Sequence, residues 1–121
     1  MEFNGNQPIY LQIVDFICEK ILSKEWKEGD RVPSVREMAV TIEVNPNTVM
    51  RSFTFLQEKN IISNQRGVGF FVSEDGFQNA MDYMLEHFIN SDLDNLFKKM
   101  DLLNISPTKL KEYYTKYKSD K

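Results

Sequence analysis

The sequence predicts a mostly α fold with one small β-hairpin (α+β), in which a compact N-terminal domain is followed by a short helical tail. Cap residues followed by proline mark several helix starts, and two β-prone runs around a glycine-containing loop predict the hairpin. The length of 121 residues supports one domain of about 100 residues with an appendage rather than two full domains. The expected parts are residues 1–75 and residues 76–121.

Two helices are predicted in the first third of the chain. The first covers residues 8–25, because Pro8 suits a first helical position. Its apolar side chains recur at helical spacing and are Ile9, Ile13, Phe16, Ile17 and Ile21. The second helix starts at Ser34, where Glu37 completes a capping box. Its inward residues are Val35, Met38, Ala39 and Ile42.

A third helix and the hairpin follow. Asn45 and Pro46 form a strong start signal, and Asn60 is suited to end the helix. The inner face of this helix consists of Val49, Phe53 and Leu56. Residues 61–63 and 70–72 are the two β-prone runs, and the loop between them carries the glycines.

The pattern becomes helical again after a boundary at residues 73–76. One stripe of apolar residues ends at Phe88 and another begins at Leu93, so residues 90–92 form either a kink or a break. Ser106 and Pro107 then open a last helix. About 45 residues cannot build an independent core, so we expect this region to dimerise the protein. The side chains expected to do so, here called the tail stripe, are Phe77, Met81, Met84, Leu85, Phe88, Leu93, Leu96, Phe97, Met100, Leu110, Tyr114 and Tyr117.

The order of helix, short helix, tight turn, helix and hairpin is that of a winged helix-turn-helix. In such a module the third helix enters the major groove of DNA, and its outer face carries the residues that meet bases and phosphates. Asn47, Thr48 and Arg51 fall on that face, and Arg36 lies in the first turn of the preceding helix. The hairpin tip adds a cation and a thin loop at Arg66, Gly67 and Gly69.

Several motifs in order give this pattern a family resemblance. They are PIYLQI at residues 8–13, VPSVREMA at 32–39, NPNTV at 45–49 and RGVGFFV at 66–72. Together they resemble the GntR family of bacterial transcriptional regulators, and the NPNTV version with a short tail resembles its YtrA-like subfamily. The resemblance implies a homodimeric regulator, expected to be a repressor, that binds double-stranded DNA at a dyad-symmetric operator. It also implies DNA contacts from the positions of Ser34, Arg36, Asn45, Asn47, Thr48 and Gly69.

The sequence departs from the family pattern at two places. Many members carry Ser-Arg where this chain has Asn45 and Pro46, so a common arginine base contact is absent and Arg51 is the candidate to replace it. The turn before the third helix often contains glycine where this chain has Glu43. A left-handed residue at or beside Glu43 is therefore expected to carry some backbone strain.

Charge is distributed unevenly along the chain. The net charge is −3, which alone argues against a protein that coats nucleic acid. Residues 31–66, however, hold five basic and three acidic residues, a local net charge of +2. An acidic body with a modestly basic surface is expected to bind mismatched DNA weakly and in a salt-sensitive way.

Some residues also have simpler explanations. Arg36 could form an ion pair with Glu37 or Glu58, and Arg51 could lie on a merely solvated helix face. Gly67 and Gly69 would satisfy turn geometry in any case. A winged helix used for protein–protein assembly is the alternative function, although such a module would carry apolar or acidic residues where this chain has polar and basic ones.

Other functional classes find little support in the sequence. The chain has one His and one Cys and no phosphate-binding loop, so we expect neither an enzyme nor a cofactor or metal site. Cys18 is expected to be a small buried residue rather than a redox sensor. No membrane segment or signal core is evident, which favours a cytoplasmic protein. Binding of a small-molecule effector stays open.

Overall fold

Three helices and a two-stranded hairpin begin the chain in the computed structural model, which describes all residues from Met1 to Lys121. These elements are α1 (Ile9–Leu22), α2 (Val35–Ile42), α3 (Pro46–Glu58), β1 (Ile62–Gln65) and β2 (Gly69–Val72). They are followed by α4 (Gly76–His87), a π-helical segment (Phe88–Leu93), α5 (Asp94–Leu103) and α6 (Pro107–Ser119). The predicted mostly helical fold with one hairpin is confirmed. None of the helices combines the length and apolar character needed to cross a membrane.

Polar residues fix the starts of α2 and α3. Ser34 Oγ accepts a hydrogen bond from the N–H of Glu37 at 3.0 Å, and Glu37 Oε1 accepts one from the N–H of Ser34 at 3.0 Å. Before α3, Asn45 Oδ1 accepts a hydrogen bond from the N–H of Asn47 at 2.8 Å, and Pro46 is the first helical residue. Caps of this kind stabilise a helix by about 1 kcal/mol each. Both predicted helix starts are confirmed.

The turn between α2 and α3 contains a left-handed residue that is not glycine. Glu43 has φ 56° and ψ 51°, and the N–H of Val44 after it donates to the carbonyl of Ala39 at 3.0 Å. The left-handed conformation costs a residue with a side chain about 1–2 kcal/mol. The expected strain is therefore present at Glu43, and the short turn brings α3 directly after α2.

The hairpin is antiparallel, and its register pairs Ile62 with Val72 and Gln65 with Gly69. The first strand, expected at residues 61–63, begins one residue later and extends to Gln65. The polar residues at the end of β1 have a low intrinsic strand propensity, but pairing with β2 keeps them in the hairpin.

The core of the N-terminal part lies among α1, α2, α3 and the base of the hairpin. Its buried side chains are Ile13, Val14, Ile17, Cys18, Ile21, Val32, Met38, Ala39, Ile42, Val49, Phe53, Leu56, Ile61, Ile62, Val72 and Ala80. Ile9, expected on the inner face of α1, is instead 45% exposed. Because successive helical residues turn by about 100°, a buried stripe that includes Val14 and Cys18 leaves Ile9 at its edge.

The chain divides into two compact units between Met84 and Leu85, inside α4. The sequence pattern predicts the boundary between the two parts earlier, at residues 73–76. The first half of α4 belongs to the N-terminal unit because Ala80 is fully buried, and Tyr83 and Met84 pack against the same core.

The second unit, Leu85–Lys121, contains the end of α4 and the helices after it. The kink or break expected at residues 90–92 is a π-helical segment, so the chain stays helical through it. Ser106 Oγ accepts a hydrogen bond from the N–H of Lys109 at 3.1 Å, which confirms the predicted start of α6. Many large apolar side chains of this unit are exposed, namely Leu85, Phe88, Ile89, Phe97, Leu102, Leu103, Tyr113, Tyr114 and Tyr117.

Candidate nucleic-acid interface

The third helix separates its apolar and polar side chains onto opposite faces. Val49, Phe53 and Leu56 are completely buried, whereas Asn47 and Arg51 are exposed. Thr48 is half-buried at the border between the two faces. The helix therefore presents an amide, a hydroxyl and a guanidinium within its first two turns, as the spacing predicts.

A buried hydroxyl fixes this helix against α1. Ser52 is completely buried, and its Oγ donates to the carbonyl of Tyr10 at 2.7 Å. The same oxygen lies 3.3 Å from the carbonyl of Thr48 on its own helix. A buried hydroxyl without a partner would cost free energy, so this contact defines how α3 sits on α1.

The side chains of Ser34 and Asn45 have structural roles that limit what they can offer to DNA. Each uses an oxygen to accept a backbone hydrogen bond at the start of a helix. The hydroxyl proton of Ser34 and the amide group of Asn45 remain as donors. Phosphate oxygens only accept hydrogen bonds, so both caps are still able to contact a DNA backbone.

Arg51 stacks on an aromatic ring from another helix. Its guanidinium carbon lies 3.8 Å from the centroid of the Tyr10 ring. This distance is well within the range of a cation–π interaction. Arg51 is therefore not simply a solvated side chain, and Tyr10 belongs to the site although the sequence pattern does not identify it. A contact between two helices leaves no periodic signal that could reveal it.

Arg36 is exposed and free of ion pairs. Neither Glu37 nor Glu58 lies within salt-bridge distance of it, so the alternative explanation from sequence does not hold. Glu37 is occupied by the capping box. The pKa of Glu37 is lowered mainly by the hydrogen bond from the backbone N–H of Ser34. The hydrogen bond with the Ser34 side chain also lowers it, and the positive charge of Arg31 has a weaker effect in the same direction.

The hairpin carries an exposed tip, and we call β1, β2 and the loop between them the wing. Arg66, Gly67 and Val68 are all exposed, and the N–H of Val68 donates to the carbonyl of Gln65 at 2.8 Å. Gly67 has φ 79°, a conformation that favours glycine. The turn therefore needs a glycine at this position, whatever else the tip contacts.

Outside this surface, the one cysteine of the chain is buried in the core. Burial raises the pKa of the Cys18 thiol to about 12, with smaller contributions from Asp15 and Glu19. A thiol with such a pKa stays protonated at neutral pH and is a poor nucleophile. No group of three or more His, Cys, Asp or Glu side chains is placed to hold a metal ion.

The fold and this surface together define a winged-helix DNA-binding protein. The family model of the bacterial regulatory proteins of the gntR family matches residues 9–72, which is more than half of the chain. The chain therefore belongs to the GntR family of transcriptional regulators.

Individual relatives agree with this assignment. The HTH-type transcriptional regulator YhcF of Bacillus subtilis is 34% identical over 111 residues, which cover 92% of this chain and 90% of YhcF. The HTH-type transcriptional repressor YtrA of the same species is 43% identical over 70 residues, or 58% of this chain and 54% of YtrA. A solved GntR family transcriptional regulator from Listeria monocytogenes superposes with a TM-score of 0.76 at 32% identity, covering 94% of this chain and 98% of that one. The chain thus resembles YhcF over nearly its full length and YtrA over somewhat more than half of it.

Proposed function

We propose that the protein is a repressor that binds a dyad-symmetric operator as a homodimer, with α3 in the major groove and the wing at the adjacent groove or backbone. The observation that carries this proposal is the outer face of α3. Asn47, Thr48 and Arg51 lie near its N-terminal end, and none of them is tied up in an ion pair. The N-terminal residues of a recognition helix are those that meet base edges.

Each of these side chains has a suitable chemical role. The Asn47 amide is able to donate to and accept from adenine, and the Arg51 guanidinium to fork onto guanine or a phosphate. Thr48 is able to donate to a phosphate oxygen. Arg36, in the first turn of α2, would neutralise a phosphate where that helix crosses the backbone.

The homodimer is supported by the exposed apolar surface of the second unit. Phe88, Phe97 and Tyr114 are 46%, 51% and 60% exposed, which is unusual for aromatic side chains in a protein that works alone. Met100, also part of the tail stripe, is only 7% exposed and is already covered within the chain. A second copy would cover the others and supply the two-fold symmetry that a dyad operator requires.

Repression is proposed from the relatives. YtrA is described as a repressor, and so is the histidine utilization repressor of Klebsiella aerogenes, which is 32% identical over 74 residues.

The test is selection of bound fragments from genomic DNA, followed by affinity measurements with one selected duplex. We expect inverted half-sites with centres about one helical turn apart. A variant with Asn47→Ala, Thr48→Ala and Arg51→Ala should bind that duplex at least about tenfold more weakly, because one lost base contact costs about 1–3 kcal/mol.

The matched control changes exposed or half-buried polar residues further along the same helix. Thr54→Ala with Gln57→Ala alters α3 beyond its N-terminal turns and should leave affinity nearly unchanged. Equal affinity of the triple variant and the unchanged protein would refute the groove assignment. Failure to select any DNA would favour the protein-assembly alternative.

A further inference from the structure

One arginine outside the helix-turn-helix is fixed against the wing. Arg31 precedes α2, and its backbone forms a bridge with Phe71 on the edge of β2. On either side of it, the N–H of Val32 donates to the carbonyl of Phe70 at 2.8 Å, and the carbonyl of Asp30 accepts from Val72 at 2.9 Å. The residues around Arg31 therefore act as a short third strand of the wing. This pairing fixes the backbone of Arg31 beside β2.

The side chain of Arg31 lies over Gly69. A Cβ atom built on Gly69 would be 3.1 Å from Nε of Arg31 and 3.6 Å from its Nη2. The first distance is shorter than an ordinary van der Waals contact, so a side chain on Gly69 would shift the guanidinium by a few tenths of an ångström. Gly69 also has φ 142°, which disfavours other residues. The glycine thus provides a flat site on which the guanidinium rests.

This guanidinium forms no ion pair, although its charge is near enough to Glu37 to lower the pKa of that carboxylate weakly. The carboxylate of Asp30 accepts a hydrogen bond from the N–H of Lys27 at 2.8 Å, and that of Glu37 accepts one from Ser34 at 3.0 Å. No carboxylate lies within 4.0 Å of Arg31. The residue is exposed, so its guanidinium is accessible to a partner in solution.

We propose that Arg31 is a phosphate-contacting residue of the wing, held in place by Gly69. It would add a cation to the wing beside Arg66 and extend the phosphate-binding surface begun by Arg36. A contact to phosphate rather than to a base is favoured because the guanidinium lies against β2 at Gly69 rather than at the exposed loop tip around Gly67. This inference rests on the proposed DNA-binding function.

The experiment measures how salt affects the binding of the full-length protein to two duplexes, one recovered by genomic selection and one of mixed sequence. Arg31→Gln should weaken binding to both by the same factor. The slope of log affinity against log salt concentration should fall in magnitude by about 0.9, the value for one lost phosphate contact. Arg31→Lys should restore most of the slope because it keeps the charge. Lys111→Gln, which removes an exposed lysine from α6, is the charge-matched control and should leave the slope unchanged.

A second set of variants tests the role of Gly69. Gly69→Ala should weaken binding in both backgrounds, because a φ of 142° is strained for alanine whatever lies nearby. The loss should be larger in the unchanged protein, where the new methyl group also shifts the guanidinium of Arg31. Gly67→Ala places a side chain in the same loop with nothing within 4 Å, and its effect should be the same in both backgrounds.

The possible failures are distinguishable. If the unchanged protein binds neither duplex, the proposed function fails. If it binds normally and Arg31→Gln has the same salt slope, or weakens only the selected duplex, the phosphate assignment of Arg31 is overturned while the proposed function stands.

Discussion

Arg51 differs from its neighbours on α3 because a second helix determines where it points. The centroid of the Tyr10 ring lies 3.8 Å from its guanidinium carbon, and the Phe55 ring packs edge-on near Tyr10, with ring centroids 6.4 Å apart. An unsupported arginine loses more side-chain entropy when it binds than one that is already held. Tyr10 is thus expected to act as a positioning residue for DNA binding.

Substitutions of Tyr10 test this role. Tyr10→Phe keeps the ring and should retain affinity, whereas Tyr10→Leu should weaken binding to a selected duplex about two- to fivefold, the equivalent of about 0.5–1 kcal/mol for an exposed cation–π contact. In an Arg51→Ala background, Tyr10→Leu should have little further effect. Additive losses in that double variant would show that Tyr10 acts independently of Arg51.

At the scale of single residues, local features could be predicted from sequence, whereas contacts between distant residues could not. The caps at Ser34 and Asn45, the left-handed Glu43 and the buried face of α3 depend on residues at most four positions apart, and all were predictable. The Tyr10–Arg51 stack joins residues forty-one positions apart, and the seat of Arg31 on Gly69 joins two separate strands. Such contacts depend on how the elements pack, which no local pattern encodes.

At the scale of elements, the step from the wing into α4 is tightly constrained. Gly76 is buried at the first turn of α4, where a Cβ would lie 2.7 Å from the carbonyl oxygen of Ile61 and 2.9 Å from Cγ1 of Val72. The same carbonyl accepts a hydrogen bond from the N–H of Ser73 at 3.0 Å. Since the obstacle is partly backbone, it cannot move aside without disturbing the hairpin.

Gly76→Ala should therefore destabilise the protein even though alanine favours helix. We expect the free energy of unfolding to fall by about 1–3 kcal/mol, the range for overpacked sites, as measured by urea denaturation. Gly5→Ala is the control, because nothing lies within 4 Å of that position, and it should leave stability unchanged. A Gly76→Ala protein as stable as the parent would mean that α4 does not pack against the hairpin base in this way.

The element boundaries show a related limit of sequence patterns. Residues 73–76 look like a linker because they are polar and contain glycine, yet the compact N-terminal unit continues to Met84. Ala80 is completely buried but gives a weak apolar signal in sequence. Small residues that fit against a core are easily mistaken for the start of a separate region.

At the scale of the whole molecule, the exposed apolar side chains of the second unit require an explanation that one chain does not provide. Burial of a phenylalanine side chain contributes about 1.5–3 kcal/mol. Phe88 and Phe97 retain about half of their surface exposed, at 46% and 51%. Pairing of two copies would bury these side chains in both subunits and so gain this free energy once for each subunit.

We expect the unchanged protein to sediment as a dimer, and a variant with Phe88→Ser and Phe97→Ser to sediment as a monomer at the same concentration. Val40→Ser removes an apolar side chain that is 74% exposed on α2, outside the tail stripe, and should remain dimeric. A dimer that survives the double substitution would place the subunit contact elsewhere on the chain.

The π-helical segment has a consequence for the direction in which the side chains after it point. An α-helix turns by about 100° per residue, whereas a π turn accommodates one residue more than an α turn. Side chains after Leu93, such as Phe97, therefore point in a different direction relative to Leu85 than they would in an uninterrupted α-helix. Deletion of one residue from the segment would let the α-helix continue without a π turn, and it would turn Phe97 by about 100° relative to Leu85. The length of this segment thus determines which apolar side chains of the second unit share one face.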